Sequence, residues 1–294
     1  MVAAFDYCLH GRGGAAPSID TAMHALVESP HVDHLHPDSG IALATSADGE
    51  ALTREIFGER VAWVPWRRPG LQLGLDIAGI RTANPEAIGC VLGGHGITAW
   101  GDSSDEVESR SMEIIRTAEA AIAEGVSRMA GRGEHPFGPL DPGCEALPDD
   151  ERRARAAALA PVVRGLASTD RRQVGHFTDT GAVLDFLSRE KLEGSAALGT
   201  SCPDHFLRTK VSPLVVDLPA TAPVEDVVAR LREVHTGYRE QYAAYYLVQA
   251  GATGALSGGL PAIREVVRVS VRLTRFEPSP DRGAWARAEE RVRG

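Results

Sequence analysis

The histidines His34, His36 and His95 form the pattern in this sequence that most clearly indicates a functional site. Two of them, His34 and His36, stand one residue apart in the run Val32–His36. On a β-strand alternate side chains share a face, so both rings would point the same way, with Leu35 packed behind them. His95 stands in a Gly-His-Gly turn after an apolar run, where the glycines allow a close backbone approach. Three histidines with one open position are typical of a catalytic zinc site.

The histidine pair taken alone leaves a second interpretation open. Two histidines on a strand are more often surface or core residues than metal ligands, and His95 adds little by itself. The four cysteines supply no other metal site, because they are far apart and form no CxxC pair. Four reduced thiols are typical of a cytoplasmic protein, which is the predicted location.

The predicted strands and helices that carry these residues alternate along the chain, so the predicted fold class is α/β. The clearest helix runs from Ser104 to Glu124, with Ser103 or Ser104 as the N-cap and Gly125 just past its end. Residues 131–150, rich in Gly and Pro, are predicted to be a loop. The other predicted helices are Asp20–Glu28, Ala154–Leu166, Val183–Ser188 and Val224–His235, the predicted strands are His31–His36, Val61–Pro65, Ile88–Leu92 and Leu214–Asp217, and Ile41–Thr45 is a further short element.

Composition narrows the class of function. The 294 residues carry 40 acidic and 31 basic side chains, a net charge of −9, and the first 246 residues show no basic face. Nucleic-acid binding is therefore not expected. No apolar run is long enough for a membrane span, and the first ten residues do not resemble a signal peptide. A small anionic substrate stays possible, since a site can be locally positive inside an acidic protein.

Three segments, taken in this order, resemble the class II aldolase/adducin family, which includes fuculose-phosphate and rhamnulose-phosphate aldolases. They are Pro17–His24, His34–His36 and Gly94–Gly96. The family has a Pro-Ser-x-acid-x-x-x-His segment before an HxH pair and a later His-Gly turn. The resemblance is closest to the rhamnulose-phosphate aldolase half of bifunctional aldolase/short-chain dehydrogenases, through the further segments His31–Asp38, Trp63–Trp66, Arg68–Gly70, Trp100–Asp102 and Gly199–Lys210.

This resemblance implies a fold and an organisation. The expected fold is a three-layer α/β/α domain with a mostly antiparallel central sheet over residues 1–246, and with the metal site at one edge of the sheet. The first part of the family domain, including a phosphate loop, would precede Met1. Residues 247–294 would be a divergent, arginine-rich tail. The family also implies a homo-oligomer.

The resemblance also implies a reaction. It is the cleavage of a ketose 1-phosphate, such as rhamnulose 1-phosphate, to dihydroxyacetone phosphate and a small aldehyde. His34, His36 and His95 would hold Zn²⁺ or another divalent metal. Asp20 matches the catalytic acid/base position, and Ser18 matches a phosphate-binding serine. A second interpretation makes Asp20 only the N-cap of the helix that follows it.

Two other functions fit the same residues. One is a pentulose-phosphate 4-epimerase, which uses the same retro-aldol step. The other is a non-catalytic, metal-binding remnant of an aldolase. His24 matches a family histidine and is predicted to be buried and hydrogen-bonded rather than a ligand. His205, with Arg208 and Lys210, either binds phosphate or belongs to a structural loop.

Overall fold

The computed structural model describes residues 17–169, 171–202 and 211–252. These residues divide into two compact units, 17–133 with 201–202, and 134–200 with 211–252. The predictions for the segment around His205 and for residues 253–294 lie outside the described residues. The division predicted at residue 246 stays a prediction, and a long helix crosses that position.

The first unit is built around a four-stranded sheet. Its elements, numbered in chain order, are helices α1 Thr21–Leu26, α2 Asp38–Ala44, α3 Gly49–Phe57, α4 Leu71–Ala83 and α5 Ser104–Gly131, and strands β1 His31–Leu35, β2 Val61–Val64, β3 Gly89–Leu92 and β4 Gly96–Gly101. The strand order is β1-β4-β3-β2. The β1–β4 and β3–β4 pairs are antiparallel and β2–β3 is parallel, which confirms the mostly antiparallel sheet.

Helices cover both faces of this sheet, because its strands alternate apolar side chains between two buried clusters. Val91 of β3 belongs to the cluster that contains Ile114 of α5. Its neighbours Cys90 and Leu92 belong to the cluster that contains Ile77 of α4. Helices α2, α3 and α5 therefore lie on one face, and α1 and α4 on the other. The three-layer α/β/α prediction is confirmed.

The second unit is helical over its described residues. It contains α6 Asp149–Ala167, α7 Gly181–Leu187, α8 Leu192–Ala197 and α9 Val224–Ala252. The strand predicted over Leu214–Asp217 is wrong: the segment has no strand partner among the described residues, although Leu214 is buried. A short apolar run is compatible with any buried segment, and its sequence alone does not identify a strand.

Other departures from the sequence prediction concern missing and extended elements. Strand β4 and helices α3, α4 and α8 were not predicted, and α9 runs well past His235. Helix α5 continues through Gly125 to Gly131. One glycine inside a long helix costs only about 1 kcal/mol, too little to end it. Within the described ranges, every helix is too short or too polar to cross a bilayer.

Candidate metal centre

The three histidines predicted as ligands lie together at one end of the sheet. His34 is near the end of the edge strand β1, and His36 follows that strand directly. His95 stands in the turn between β3 and β4. Because β1 pairs antiparallel with β4, the end of β1 lies beside the start of β4 and hence beside this turn.

The ring nitrogens converge on one point. Nε2 of His34 lies 3.1 Å from Nε2 of His36 and 3.2 Å from Nε2 of His95. Among the described residues, these three form the one group of His, Cys, Asp or Glu side chains close enough to share a metal ion. Tetrahedral zinc with bonds of about 2.0–2.1 Å separates two ligand nitrogens by roughly 3.3 Å. The donor set therefore fits a divalent metal such as zinc, with one position left open.

A backbone contact fixes the orientation and tautomer of His34. Its Nδ1 lies 3.0 Å from the carbonyl oxygen of Ile97 in β4. Nδ1 donates this hydrogen bond, so Nε2 keeps its lone pair for a metal. Sequence reasoning missed Ile97 because its contribution is a carbonyl oxygen, which leaves no signal in residue type.

The surroundings of His34 lower its pKa and so favour its neutral form. Burial is the main cause that lowers its pKa, and the nearby His36 adds to the effect. The Ile97 carbonyl and the charge of Asp20 oppose this lowering but do not reverse it. Metal ligation needs the neutral imidazole, so the lowered pKa favours the binding form.

The Gly-His-Gly turn is close-packed, as its sequence predicted. Gly94 has φ +67°, a conformation that favours glycine, and its N–H donates to the carbonyl of Ala44 at 2.6 Å. A Cβ on Gly96 would lie 2.6 Å from the carbonyl oxygen of Leu35 and would overlap the ring of His36. His95 itself is 4% exposed. The glycines thus let a buried histidine approach the strand that carries the other two.

Asp20 and Ser18 lie just before helix α1. The backbone N–H of Asp20 donates to Ser18 Oγ at 3.1 Å, and that hydroxyl lies 3.3 Å from Asp20 Oδ2. Asp20 occupies the N-cap position of α1, as the second interpretation predicted, although its side chain makes no capping hydrogen bond. Its Oδ1 is buried and has no hydrogen-bond partner among the residues that the structure describes.

Two further expectations about side chains are wrong. His24 was predicted to be buried, but it is exposed on α1. Leu35 was predicted to pack behind the histidines, but it is 37% exposed. Leu35 is the last residue of β1, and His24 lies on the side of α1 away from its buried residues Ala22 and Met23.

Comparison with known families decides what this site belongs to. A family model described as "Class II Aldolase and Adducin N-terminal domain" matches residues 2–122, which include all three histidines, Ser18 and Asp20. A second, "Aldolase class II, second domain", matches residues 154–267. The chain belongs to the class II aldolase/adducin family. The described residues of the first match lie in the first unit, and those of the second match lie in the second unit except for 201–202.

Two known proteins are similar to parts of this chain. "Uncharacterized oxidoreductase YuxG" of Bacillus subtilis (strain 168) is 30% identical over 247 residues, 84% of this chain and 35% of that protein. A solved structure, "Structure of the N-terminal Class II Aldolase domain of a conserved protein from Thermoplasma acidophilum", is 27% identical, with a TM-score of 0.33 over 36% of this chain and 49% of that one. The chain thus spans about a third of the length of the curated relative.

Proposed function

We propose that this chain is a zinc-dependent class II aldolase that cleaves a ketose 1-phosphate, such as rhamnulose 1-phosphate, to dihydroxyacetone phosphate and a small aldehyde. Family membership supports aldol chemistry. The observation that carries the proposal is the convergence of three Nε2 atoms: those of His36 and His95 lie 3.1 and 3.2 Å from that of His34. A divalent ion bound there supplies Lewis-acid stabilisation of the negative charge that develops on the substrate oxygens.

Asp20 is the proposed acid/base. When the carbon–carbon bond breaks, the hydroxyl of the aldehyde half must lose a proton and the carbon of the other half must gain one. A carboxylate near both can move these protons. Two observations support Asp20. Within the described part of the chain its Oδ1 is buried without a hydrogen-bond partner, and its charge raises the pKa of His34. It is one methylene shorter than the glutamate of the better-known family aldolases.

Ser18 is the proposed phosphate contact. It is exposed, and its hydroxyl already accepts the N–H of Asp20, so its position is fixed relative to the acid/base. The next residue is Ile19, 44% exposed, where fuculose-phosphate aldolase has a second serine. The remaining phosphate contacts would come from other parts of the protein or of its oligomer, and a homo-oligomer is part of this proposal.

The relation to YuxG supports a bifunctional context. That relative is named an oxidoreductase, and this chain matches 35% of it. The unmatched part of the relative is long enough for a second catalytic domain, as in an aldolase joined to a dehydrogenase. The partner proposed for the present chain is a small phosphorylated sugar.

The test is release of dihydroxyacetone phosphate from rhamnulose 1-phosphate, followed with a coupled NADH-consuming reductase. We expect turnover by the zinc-loaded protein, and its loss after chelation and in His34→Ala. His31→Ala is the matched control, because His31 is an exposed histidine on the same strand. Its activity should equal that of the wild type.

Each other outcome selects a different function. Activity that survives both chelation and His34→Ala would reject the metal mechanism. Turnover of ribulose 5-phosphate without free aldehyde would identify an epimerase. Zinc binding without turnover of either sugar phosphate would identify the non-catalytic remnant.

A further inference from the structure

The separation of the metal ligands depends on how one edge strand is held. His34 and His36 come from β1 and its end, whereas His95 comes from the β3–β4 turn. β1 is five residues long, and in the described ranges it pairs with one strand, β4. Any shift of β1 against β4 therefore changes the distance between the first two ligands and the third.

Asp33 connects β1 to α5 and to β4 through two hydrogen bonds from side chains. It immediately precedes His34, so its side chain points to the opposite face of the sheet, towards α5. There Ser111 of α5 donates its hydroxyl to Asp33 Oδ2 at 2.8 Å. The carbonyl oxygen of Asp33 accepts the hydroxyl of Thr98, in β4, at 2.7 Å. One residue of β1 is thus bound by side chains from a helix and from a strand.

Both donors are buried inside the unit. Thr98 is 0% exposed and Ser111 is 3% exposed, so water does not compete with either bond. The same helix also holds β4, because Arg110 donates to the carbonyl of Trp100 at 2.7 Å. Helix α5 therefore fixes β1 and β4 relative to each other on the face behind the histidines.

We propose that Ser111 and Thr98 are positioning residues which, through Asp33, set the ligand separation and so the metal affinity of the histidine centre. This inference rests on the metal binding in the proposed function. Neither hydroxyl touches the metal position: they act on the backbone that carries His34. Loss of either bond lets the edge strand move, and outer contacts of this kind typically change metal affinity about 10–100-fold.

The experiment measures zinc affinity by competition with a chromophoric chelator. Ser111→Ala and Thr98→Val should each weaken zinc binding about 10–100-fold. Asp33→Asn keeps an acceptor oxygen for Ser111, so it should bind zinc nearly as tightly as the wild type. If Asp33→Asn is as weak as Ser111→Ala, the carboxylate charge and not the hydroxyl contact is responsible, and the proposal is overturned.

Ser39→Ala separates positioning from general destabilisation. Ser39 is also buried, 6% exposed, and its hydroxyl also bonds to α5, at the carbonyl of Ile115, 3.3 Å away. The Ser39→Ala variant should lower the melting temperature about as much as Ser111→Ala does, but its zinc affinity should equal that of the wild type. Equal zinc affinities in the two serine variants would reject the inference.

A measurement without metal keeps the two proposals distinguishable. If the wild type binds no zinc, the proposed function fails, and the anchoring of β1 is judged by amide hydrogen exchange of the metal-free protein. Ser111→Ala should then speed exchange in β1 more than Ser39→Ala does. Equal exchange rates in β1 would overturn the positioning role, whatever the metal result.

Discussion

The histidine end of the first unit and the helices of the second unit differ in how closely other atoms pack around their glycines. At the histidine end, a side chain on Gly93, Gly94 or Gly96 would meet atoms at or within 2.9 Å. Helical glycines of the second unit, Gly165, Gly181 and Gly194, would meet nothing within 4 Å. The part of the molecule proposed to do chemistry is therefore the part in which other atoms pack closest to the glycine backbone.

The two regions also differ in what holds them together. The first unit buries apolar side chains on both faces of a sheet. Among the described residues, the second unit buries fewer apolar side chains, Phe186 and Leu231 among them. It also contains arginine–carboxylate pairs that are partly open to solvent, such as Arg152–Asp179, Arg189–Asp185 and Arg230–Asp217. Buried packing resists small shifts, while exposed ion pairs contribute little and are screened by salt. Ligand positions within tenths of an ångström need the first kind of support.

The largest effect is expected from Asp20→Asn. The amide cannot accept and return a proton, so the turnover number should fall about 10²–10⁴-fold. Zinc affinity should stay unchanged, because the three imidazoles are untouched. Steady-state kinetics with metal analysis check both, and Glu28→Gln, an exposed acid beyond α1, is the control. A variant that turns over at the wild-type rate would remove Asp20 from the mechanism.

Gly96→Ala tests the rigidity of the histidine end. Its methyl group would meet the Leu35 carbonyl at 2.6 Å, so we expect destabilisation by about 1–3 kcal/mol, as for other overpacked sites, together with weaker zinc binding. Gly237→Ala on α9 of the second unit is the matched control: among the described residues its methyl would meet nothing within 4 Å, and it should stabilise by up to about 1 kcal/mol. Chemical denaturation measures both. Equal effects would contradict the contrast between the regions.

Tyr238 in the second unit gives a smaller, pH-dependent effect. Its hydroxyl donates to the carbonyl of Ser212 at 2.7 Å, and burial, with a contribution from Tyr242, raises its pKa to about 12. The unfolded chain loses this proton first, near its ordinary pKa of 10.0. Stability should therefore fall as pH rises from about 10 to about 12.

Tyr238→Phe isolates this contribution. The variant should be less stable than the wild type at pH 8, and the difference should shrink as pH approaches 12, in unfolding curves taken across that range. A difference that stays constant with pH would mean that the tyrosine proton is not coupled to folding.

Arg230→Ala should give the smallest effect. Its guanidinium holds both carboxylate oxygens of Asp217, at 2.7 and 2.8 Å, but the pair is partly exposed. We expect a small loss of stability that disappears in about 1 M salt, where screening is strong. Arg232→Ala, an exposed arginine on the same helix, is the control. A large loss that resists salt would show that the second unit also depends on fixed contacts.

The sequence predicted the centre better than the unit around it. The spacing of His34 and His36 and the glycines around His95 are local patterns with a direct geometric meaning, and the structure brings these residues together. The N-cap at Ser103 is equally local, and its hydroxyl accepts the N–H of Glu106. Short-range rules suffice where residue type alone fixes the backbone.

The rest depends on contacts that are distant in the chain. Strand β4 was missed because it is defined by its pairing with β1 and β3. The residues of β4 do not by themselves indicate these two partners. Ser111 lies 78 positions from Asp33, so no spacing pattern could signal their contact. The continuation of α5 beyond Gly125 has a different cause. The low helix propensity of one glycine is outweighed by the cooperativity of the whole helix.

The most direct test of the histidine centre is zinc K-edge X-ray absorption on the zinc-loaded wild type and on His34→Ala. We expect one zinc ion per chain, with three imidazole nitrogens at about 2.0–2.1 Å and oxygen completing the coordination. His34→Ala should lose the ion or show one imidazole fewer. Failure of the wild type to retain zinc, or a sulfur ligand at about 2.3 Å, would contradict the histidine centre on which the proposed aldolase activity depends.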